Sequence, residues 1–392
     1  MARLIDSMKN KALHIALSRA SNPVAISRHA TWLREGDARF QGRQPTPSTS
    51  IQTGEDGKPE RVVCAAIQME AKLVASGIRY VEFIYRLAAK AAVAGASIVV
   101  FPEYSGLPLV GMLPGIGKML DSAGSFDDAV SQAGGAGVGV LDVFKLLGPY
   151  VECAYKEAFS SVARELGIYI ITGSMVLPDD SSDGGLMRAT GYVFGPEGDL
   201  AGRYSKAHLM PIEAEWGISP GSSIPTFNLG GVIVSVPICM DATYFETFRM
   251  ARFAGADIVA IPSANPEPYN LWYALRGIWP RVQESQVYGI GASMVGQFAG
   301  QEFTGRSALL APLELSPGGD GILAQTMTSD REDVVFAEFD LSLLYKLRAE
   351  EPLRFNLSLY RKYLPGLYRS AQSSRKAQVA QATEDGTEGE DS

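Results

Sequence analysis

Cysteine and histidine are both scarce in this 392-residue chain: Cys64, Cys153 and Cys239, with His14, His29 and His208. Three scattered cysteines are too few for a disulfide framework or a zinc cage, and three separated histidines make no metal cluster. Neither a metal nor another cofactor is expected. No apolar run approaches the ~18 residues that a membrane-spanning helix needs. Basic charge is not in excess either. The net charge is −8, which argues against a dedicated nucleic-acid binder, whose phosphate contacts need a basic face. Although Gly 41 and Pro 22 promise many turns, there is no Gly-X-Y period. With 46% hydrophobic and 20% charged residues, the composition is that of an ordinary globular protein, so wholesale disorder is excluded. The chain reads as a soluble protein of a reducing compartment, the cytoplasm.

Residues 1–60 form a basic arm and linker. Arg3, Lys9, Lys11, Arg19, Arg28, Arg34, Arg39 and Arg43 face only Asp6, Glu35 and Asp37 in the first fifty residues. Leu4 to Leu17 has helix-compatible spacing, and Gln44–Pro59 reads as a linker. An organelle transit peptide would be rich in Arg and Ser and poor in acids; Asp6 weighs against one. An arm packing on the body or on a sister subunit is the preferred reading. At the other end, residues 371–392 are polar and acidic. They read as a disordered tail, because they cannot bury enough apolar surface to offset ordering entropy.

Residues 61–370 alternate short β-branched runs with helical patterns. Strands are predicted at Val62–Gln68, Ser97–Phe101, Tyr169–Met175, Gly191–Phe194, Leu200–Tyr204, Val232–Pro237, Ile258–Pro262, Tyr288–Val295, Ser307–Ala311 and Val334–Phe339. GPEGD at 195–199 is a good hairpin turn. Helices are predicted at Lys72–Ala94, Leu141–Leu166, Tyr244–Ala254, Trp272–Ser285 and Leu341–Leu347. Buried strand runs mixed with one-faced helices imply an α/β layered domain. Residues 104–150 break the rhythm with a crowd of glycines among Met112, Leu113, Met119 and Phe126. So long a loop is normally functional or disordered, and its apolar content favours a lid or an oligomer contact.

Three signatures lie where strand runs give way to turns, the edge that hosts chemistry in α/β folds. IVVFPEYSG carries Glu103. GRYSKAHLMPIEAEWGISPG carries Lys206, Glu213 and Trp216. VIVSVPICMDATYFE carries Cys239. Taken singly, each has a bland explanation as a turn residue, a solvated lysine and an inert core thiol. Together they are a sufficient set for acyl transfer. A thiol near pKa 8.5 needs a base to become a nucleophile. A buried carboxylate with a raised pKa can be that base, and an ammonium can stabilise the oxyanion.

In these motifs the sequence resembles the nitrilase superfamily, the carbon–nitrogen hydrolases, from about Val62 to Tyr368. The resemblance implies Glu103 as general base, Lys206 as oxyanion stabiliser, Cys239 as nucleophile and Glu213, in Pro211-Ile212-Glu213, as the second glutamate. Cys239, Asp241 and Glu246 continue the match, as do GADIVAIPSA at 255–264, Arg281 with Glu284, and FTGRSALLAP at 303–312. It further implies a four-layer α-β-β-α sandwich, generally paired into an eight-layer dimer, and hence a homodimer or higher homo-oligomer. Departures fall at Thr243 and Phe245, where the family often has Arg and Pro, and in the insertion at 104–150.

The implied activity is hydrolysis of a non-peptide carbon–nitrogen bond of a small amide or N-carbamoyl compound through a thioester. Met240-Asp241 after the nucleophile looks more like the amidase and N-carbamoyl-hydrolysing branches than like true nitrile hydrolysers. Tyr104, Trp216, Met240, Tyr244 and Asn265 are candidate substrate contacts. Other readings are acyl transfer or nitrile hydrolysis on the same triad, a Cys-His pair using His208, and a non-catalytic oligomeric scaffold. A scaffold has no need of an intact triad, and His208 is better read as structural.

Overall fold

The computed structural model describes residues 11–42, 51–55, 57–134, 139–179, 185–272 and 277–370. The start of the predicted Leu4–Leu17 helix, most of the linker at 44–50 and the tail from 371 lie outside these residues. Contacts divide the chain into a body ending at Lys346 and a second unit from Leu347, in which residues 357–370 are helical.

Strand β2 (Pro59–Glu70), which follows the short β1 (Gln52–Thr53), is the hub of the body. One edge runs parallel to β3 (Ile98–Val100), with Cys64 opposite Ile98. The other runs antiparallel to β15 (Asp333–Asp340) from Arg61 to Gln68, then changes partner, and Met69 and Glu70 pair with β11 (Tyr288–Phe298). The first sheet continues from β3 to β4 (Tyr169–Ile171), β6 (Met187–Phe194) and β7 (Leu200–Ser205), with β5 (Met175–Pro178) also on β6. The second runs β8 (Thr226–Leu229), β9 (Val232–Ser235), β10 (Ile258–Ser263), β11, β13 (Ala308–Leu310) and β14 (Ile322–Gln325). β12 (Gln301–Phe303) folds back on the end of β11.

Alternation along these strands builds the layers. Cys64, Ala66, Ile98 and Val100 meet Val234, Ile258, Ala260 and Ile290 between the two sheets. Their neighbours Ala65, Ile67, Val99 and Phe101 turn outward onto helices α3 (Gly77–Val93) and α6 (Val140–Leu166). On the far side Val259, Ile261, Ala308 and Leu310 pack on α8 (Phe245–Phe253) and α9 (Ile278–Ser285) through Phe248, Ala251 and Val282. Both strand faces are therefore apolar, and the body is an α-β-β-α sandwich.

The basic arm forms two helices, α1 (Lys11–Ala20) and α2 (Pro23–Gly36), whose Leu13, Leu17, Ile26 and Ala30 join the core under α3 and α6. Asn22 caps α2 by accepting from Ala25 N–H at 3.0 Å. His29 meets Glu82 on α3 at 2.9 Å, and Arg34, 9% exposed, donates to the Glu165 carbonyl of α6 at 3.0 Å. Part of the arm's basic charge is thus spent on the body.

The structure departs from the sequence reading in three places. The glycine-rich insertion is helical: a 3-10 segment at Leu107–Met112, then α4 (Ile116–Ser122) and α5 (Phe126–Gly134). Its apolar side chains, Leu109, Val110, Leu113, Ile116 and Phe126 among them, are buried and give those turns a core to pack on. Strands β8, β12 and β14 lack a long apolar run and were not signalled. The single run Tyr169–Met175 is two strands separated by Gly173, whose φ is +80°. A Cβ there would stand 1.8 Å from the Pro102 carbonyl oxygen. Only glycine lets β4 turn this close beneath the segment leading to Glu103.

Gly173→Ala combines left-handed strain with a backbone clash. It is expected to destabilise the fold by about 3 kcal/mol or more, read from the urea midpoint at unchanged m-value.

Candidate active site

Four chain segments deliver the site from the ends of strands in both sheets. Glu103 follows β3 by way of Phe101 and Pro102, and Lys206 follows β7. From the second sheet come Cys239, four residues past β9, and Ala264, directly after β10. Lys206 Nζ donates to Glu103 Oε1 at 2.7 Å and to Glu213 Oε1 at 2.9 Å. Each of these three side chains is only 1% exposed. Glu103 Oε2 accepts the Ala264 backbone N–H at 2.9 Å, so one carboxylate bonds to elements of both sheets. Glu103 and Lys206 act on the Cys239 thiol electrostatically and in opposite senses.

Glu213 stands in the first turn of α7 (Pro211–Glu215), opened by Pro211 at a position where its missing N–H is harmless. There it accepts the Met210 N–H at 2.7 Å, as a carboxylate at a helix N-terminus should. The Tyr104 hydroxyl donates to its other oxygen. Tyr104, Cys239, Ala299 and Gln286 are the non-glycine residues with positive φ among the described residues. Tyr104 and Ala299 line the cavity described below, and Cys239 is the thiol itself. Strain of this kind persists only where surrounding bonds over-determine it.

Asp241 supplies that determination for Cys239. It is fully buried and accepts the Ile238 N–H at 2.8 Å, the His208 N–H at 2.7 Å and the His208 Nδ1 at 2.7 Å. One carboxylate therefore ties the turn carrying Cys239 to the loop carrying Lys206. His208 is engaged by this bond and by the Tyr244 ring, 4.4 Å away between centroids.

Burial governs the protonation states. It raises the Glu103 pKa, helped by Glu213 and opposed by Lys206. Burial works against the Lys206 ammonium, but Glu103, Cys239 and Glu213 outweigh it and hold the pKa above the ordinary lysine value. The Cys239 thiol is pushed up by burial first and Glu103 second. Burial thus favours the neutral Cys239 thiol and raises the proton affinity of Glu103, while the neighbouring acids favour the Lys206 ammonium.

The ion cluster opens into a cavity of about 260 Å³. Tyr104 and Trp216 line it, as the sequence reading expects. Met240, Tyr244 and Asn265 are not among its lining residues. Tyr244 is 42% exposed with its ring against His208, Met240 Sδ accepts from the Thr243 hydroxyl at 3.5 Å, and the Asn265 carbonyl accepts the Thr304 N–H at 3.1 Å. The wall is instead Leu107, Phe126, Phe144, Phe298 and Phe303, with Asp127 beside Trp216. These come from four separate segments. Only the apolar content of the insertion hinted at them. Among the described residues no group of three or more His, Cys, Asp or Glu could hold a metal ion, and no helix is long and apolar enough to cross a membrane.

A sandwich of this kind, with a carboxylate, ammonium and thiol at its strand ends, defines a class of thiol-bearing α/β enzymes. The Carbon-nitrogen hydrolase family profile matches residues 64–349, and the chain belongs to that family, within the nitrilase superfamily. Among curated relatives, a Pyrococcus abyssi nitrilase is 30% identical over 211 residues, covering 54% of this chain and 74% of the relative. Human omega-amidase is 30% identical over 212 residues, covering 50% and 70%. Among solved structures, the C. elegans NitFhit protein matches with a TM-score of 0.60 at 22% identity, over 77% of this chain and 67% of that one. An amidase of Nesterenkonia matches with a TM-score of 0.55 at 19% identity, over 80% and 99%. At such identities the two structures speak for the fold.

Asp241→Ala leaves three backbone donors, of Ala207, His208 and Ile238, and the His208 ring without their acceptor. A loss of about 2–4 kcal/mol is expected in urea denaturation.

Proposed function

We propose that the protein is an amidase-type hydrolase that cleaves a small amide or N-carbamoyl compound at its carbon–nitrogen bond through a Glu103-Lys206-Cys239 triad. The observation that carries this reading is the geometry of Glu103. One oxygen is held by the Lys206 ammonium at 2.7 Å and the other by Ala264 N–H at 2.9 Å, and the charge of the same carboxylate acts on the Cys239 thiol. A base so fixed takes the thiol proton without searching for it. The amidase and omega-amidase relatives support the same bond type.

Cys239 Sγ attacks the carbonyl carbon as its proton passes to Glu103. The oxyanion that develops is stabilised by Lys206 Nζ and the backbone N–H of Met240, at the start of the 3-10 turn that follows the thiol. Collapse breaks the carbon–nitrogen bond. Glu103 returns the proton to the departing nitrogen, leaving a thioester on Cys239. Water then attacks the thioester, Glu103 takes its proton, and a second collapse frees the acid and restores the thiol. Glu213 positions Lys206 throughout, and the raised lysine pKa keeps the ammonium charged across the working range. In the Nesterenkonia amidase the acetamide moiety of fluoroacetamide adds covalently to the active-site cysteine, in keeping with a nucleophilic thiol in this fold.

Ammonia release from a panel of primary amides, N-carbamoyl amino acids and nitriles tests the reading. Cys239→Ala is expected to abolish release while the protein stays folded. Lys206→Ala is expected to lower kcat by about 10²–10³-fold. Measurable amide hydrolysis by folded Cys239→Ala protein would sink the assignment.

The pH dependence has a definite sign. Glu103 works as the carboxylate, and its raised pKa means that it protonates at a pH where an exposed glutamate is still ionised. Activity therefore rises with pH through that value. The acid limb of kcat/KM should lie above the ordinary glutamate value of about 4.3. A limb at or below it would contradict the assignment of Glu103 as base.

A further inference from the structure

The cavity wall carries a charge that the proposed reaction does not use. Besides Glu103 and Glu213, Asp127 is the acidic residue lining it, and Lys206 is its basic residue, among the described residues. Lys206 is already held between two carboxylates. A negatively charged substrate group would find no cation of its own there. Asp127 accepts the Trp216 indole N–H through both oxygens, at 2.8 and 3.0 Å. That single neutral donor uses only part of a carboxylate's acceptor capacity and none of its charge.

Aromatic rings surround this carboxylate. Phe126 lies 5.7 Å from Phe144, 6.3 Å from Trp216 and 6.1 Å from Phe298, between centroids, and all four rings line the cavity. Aromatic faces attract cations, and a carboxylate beside them strengthens the attraction in a partly desolvated site. Asp127 also sits in the first turn of α5, where a carboxylate favours the helix. That role explains a polar residue at the turn. It does not require the charge to stand in the cavity wall against the Trp216 ring.

We propose that Asp127 and these rings form a subsite for a protonated amine. The substrate is then an amide or N-carbamoyl compound bearing a cationic nitrogen, separated by an apolar spacer from the carbonyl attacked by Cys239. This inference rests on the hydrolase reading and assigns its substrate class.

Three probes of matched length test it: δ-aminovaleramide, its uncharged isostere hexanamide, and anionic glutaramic acid. The wild-type chain is expected to favour δ-aminovaleramide over hexanamide by about ten- to hundredfold in kcat/KM, with glutaramic acid the poorest. Asp127→Asn keeps an acceptor for the Trp216 indole but removes the charge. It should lower the cationic-to-neutral ratio tenfold or more, mainly through KM. Equal use of the cationic and neutral amides by the wild type, a preference for either other probe, or an unchanged ratio in the variant would overturn the subsite.

Calorimetric binding of the same probes to Cys239→Ala protein separates the two readings. Preferential binding of δ-aminovaleramide with no turnover by the wild type would support the subsite and count against the hydrolase. Turnover by the wild type with no binding preference for the cation would overturn the subsite alone.

Discussion

The cluster formed by Lys206 between Glu103 and Glu213 makes the heaviest physical demand in this structure. Two carboxylates and an ammonium are each 1% exposed, and taking such charges out of water costs several kcal/mol apiece before any attraction between them is counted. The attraction alone would not hold the cluster together. Backbone N–H groups of Ala264 and Met210 and the Tyr104 hydroxyl complete the bonding of the carboxylates. With two acids for one base, the cluster has proton affinity to spare. Burial first, and the second acid Glu213 after it, raise the Glu103 pKa against the pull of Lys206, and a raised pKa is what a carboxylate needs in order to receive a proton from a thiol. The burial that makes the cluster costly also gives Glu103 the proton affinity that its proposed role as base requires.

Such a cluster can exist only if the two sheets of the sandwich are held in fixed relation. Glu103 and Lys206 leave the first sheet, while Ala264 and Cys239 leave the second. Strand β2 sets the relation by pairing with β15 and then with β11 along a single run. Gly173 allows the chain to pass directly under Pro102, and Asp241 ties the Cys239 turn to the Lys206 loop. Each device acts on backbone. None touches the scissile bond, yet an error of 1 Å in any of them would separate base from thiol.

This division explains what the sequence could and could not disclose. Glu103 and Cys239 follow buried runs of β-branched residues, so a local pattern marks the strand and its end marks the turn beyond it, whereas Lys206 follows the largely unburied LAGRYS strand and was legible only from its motif. The layers were legible for the same reason, since strands such as Ile98–Val100 and Ile258–Ser263 are apolar on both faces. Gly173 is invisible because its reason lies in the carbonyl of Pro102, seventy-odd residues away in the chain. Strands β8, β12 and β14 take their form from pairing partners more than from their own residues. The glycine-rich insertion misled because glycine content signals a loop, whereas burial of Leu109, Ile116 and Phe126 decides the outcome. The cavity wall was hidden for a related reason. Phe126, Phe144, Phe298 and Phe303 belong to separate segments and become one surface only in the folded chain.

Chemistry and recognition are therefore built from different material. The proposed reacting groups follow strands of both sheets, and Glu103 leaves one that is buried on both faces. The wall that meets the rest of the substrate comes largely from the insertion after Glu103 and from the β11–β12 hairpin. The short helix α7 connects the two. Glu213 in its first turn bonds Lys206, and Trp216 at its C-terminal cap bonds Asp127. A ligand that engages Asp127 and the neighbouring rings thus bears on the same helix that holds Lys206, the proposed oxyanion stabiliser. Binding energy from the distal part of a substrate can reach the reacting centre along one helical turn, the kind of coupling by which remote contacts raise turnover as well as affinity.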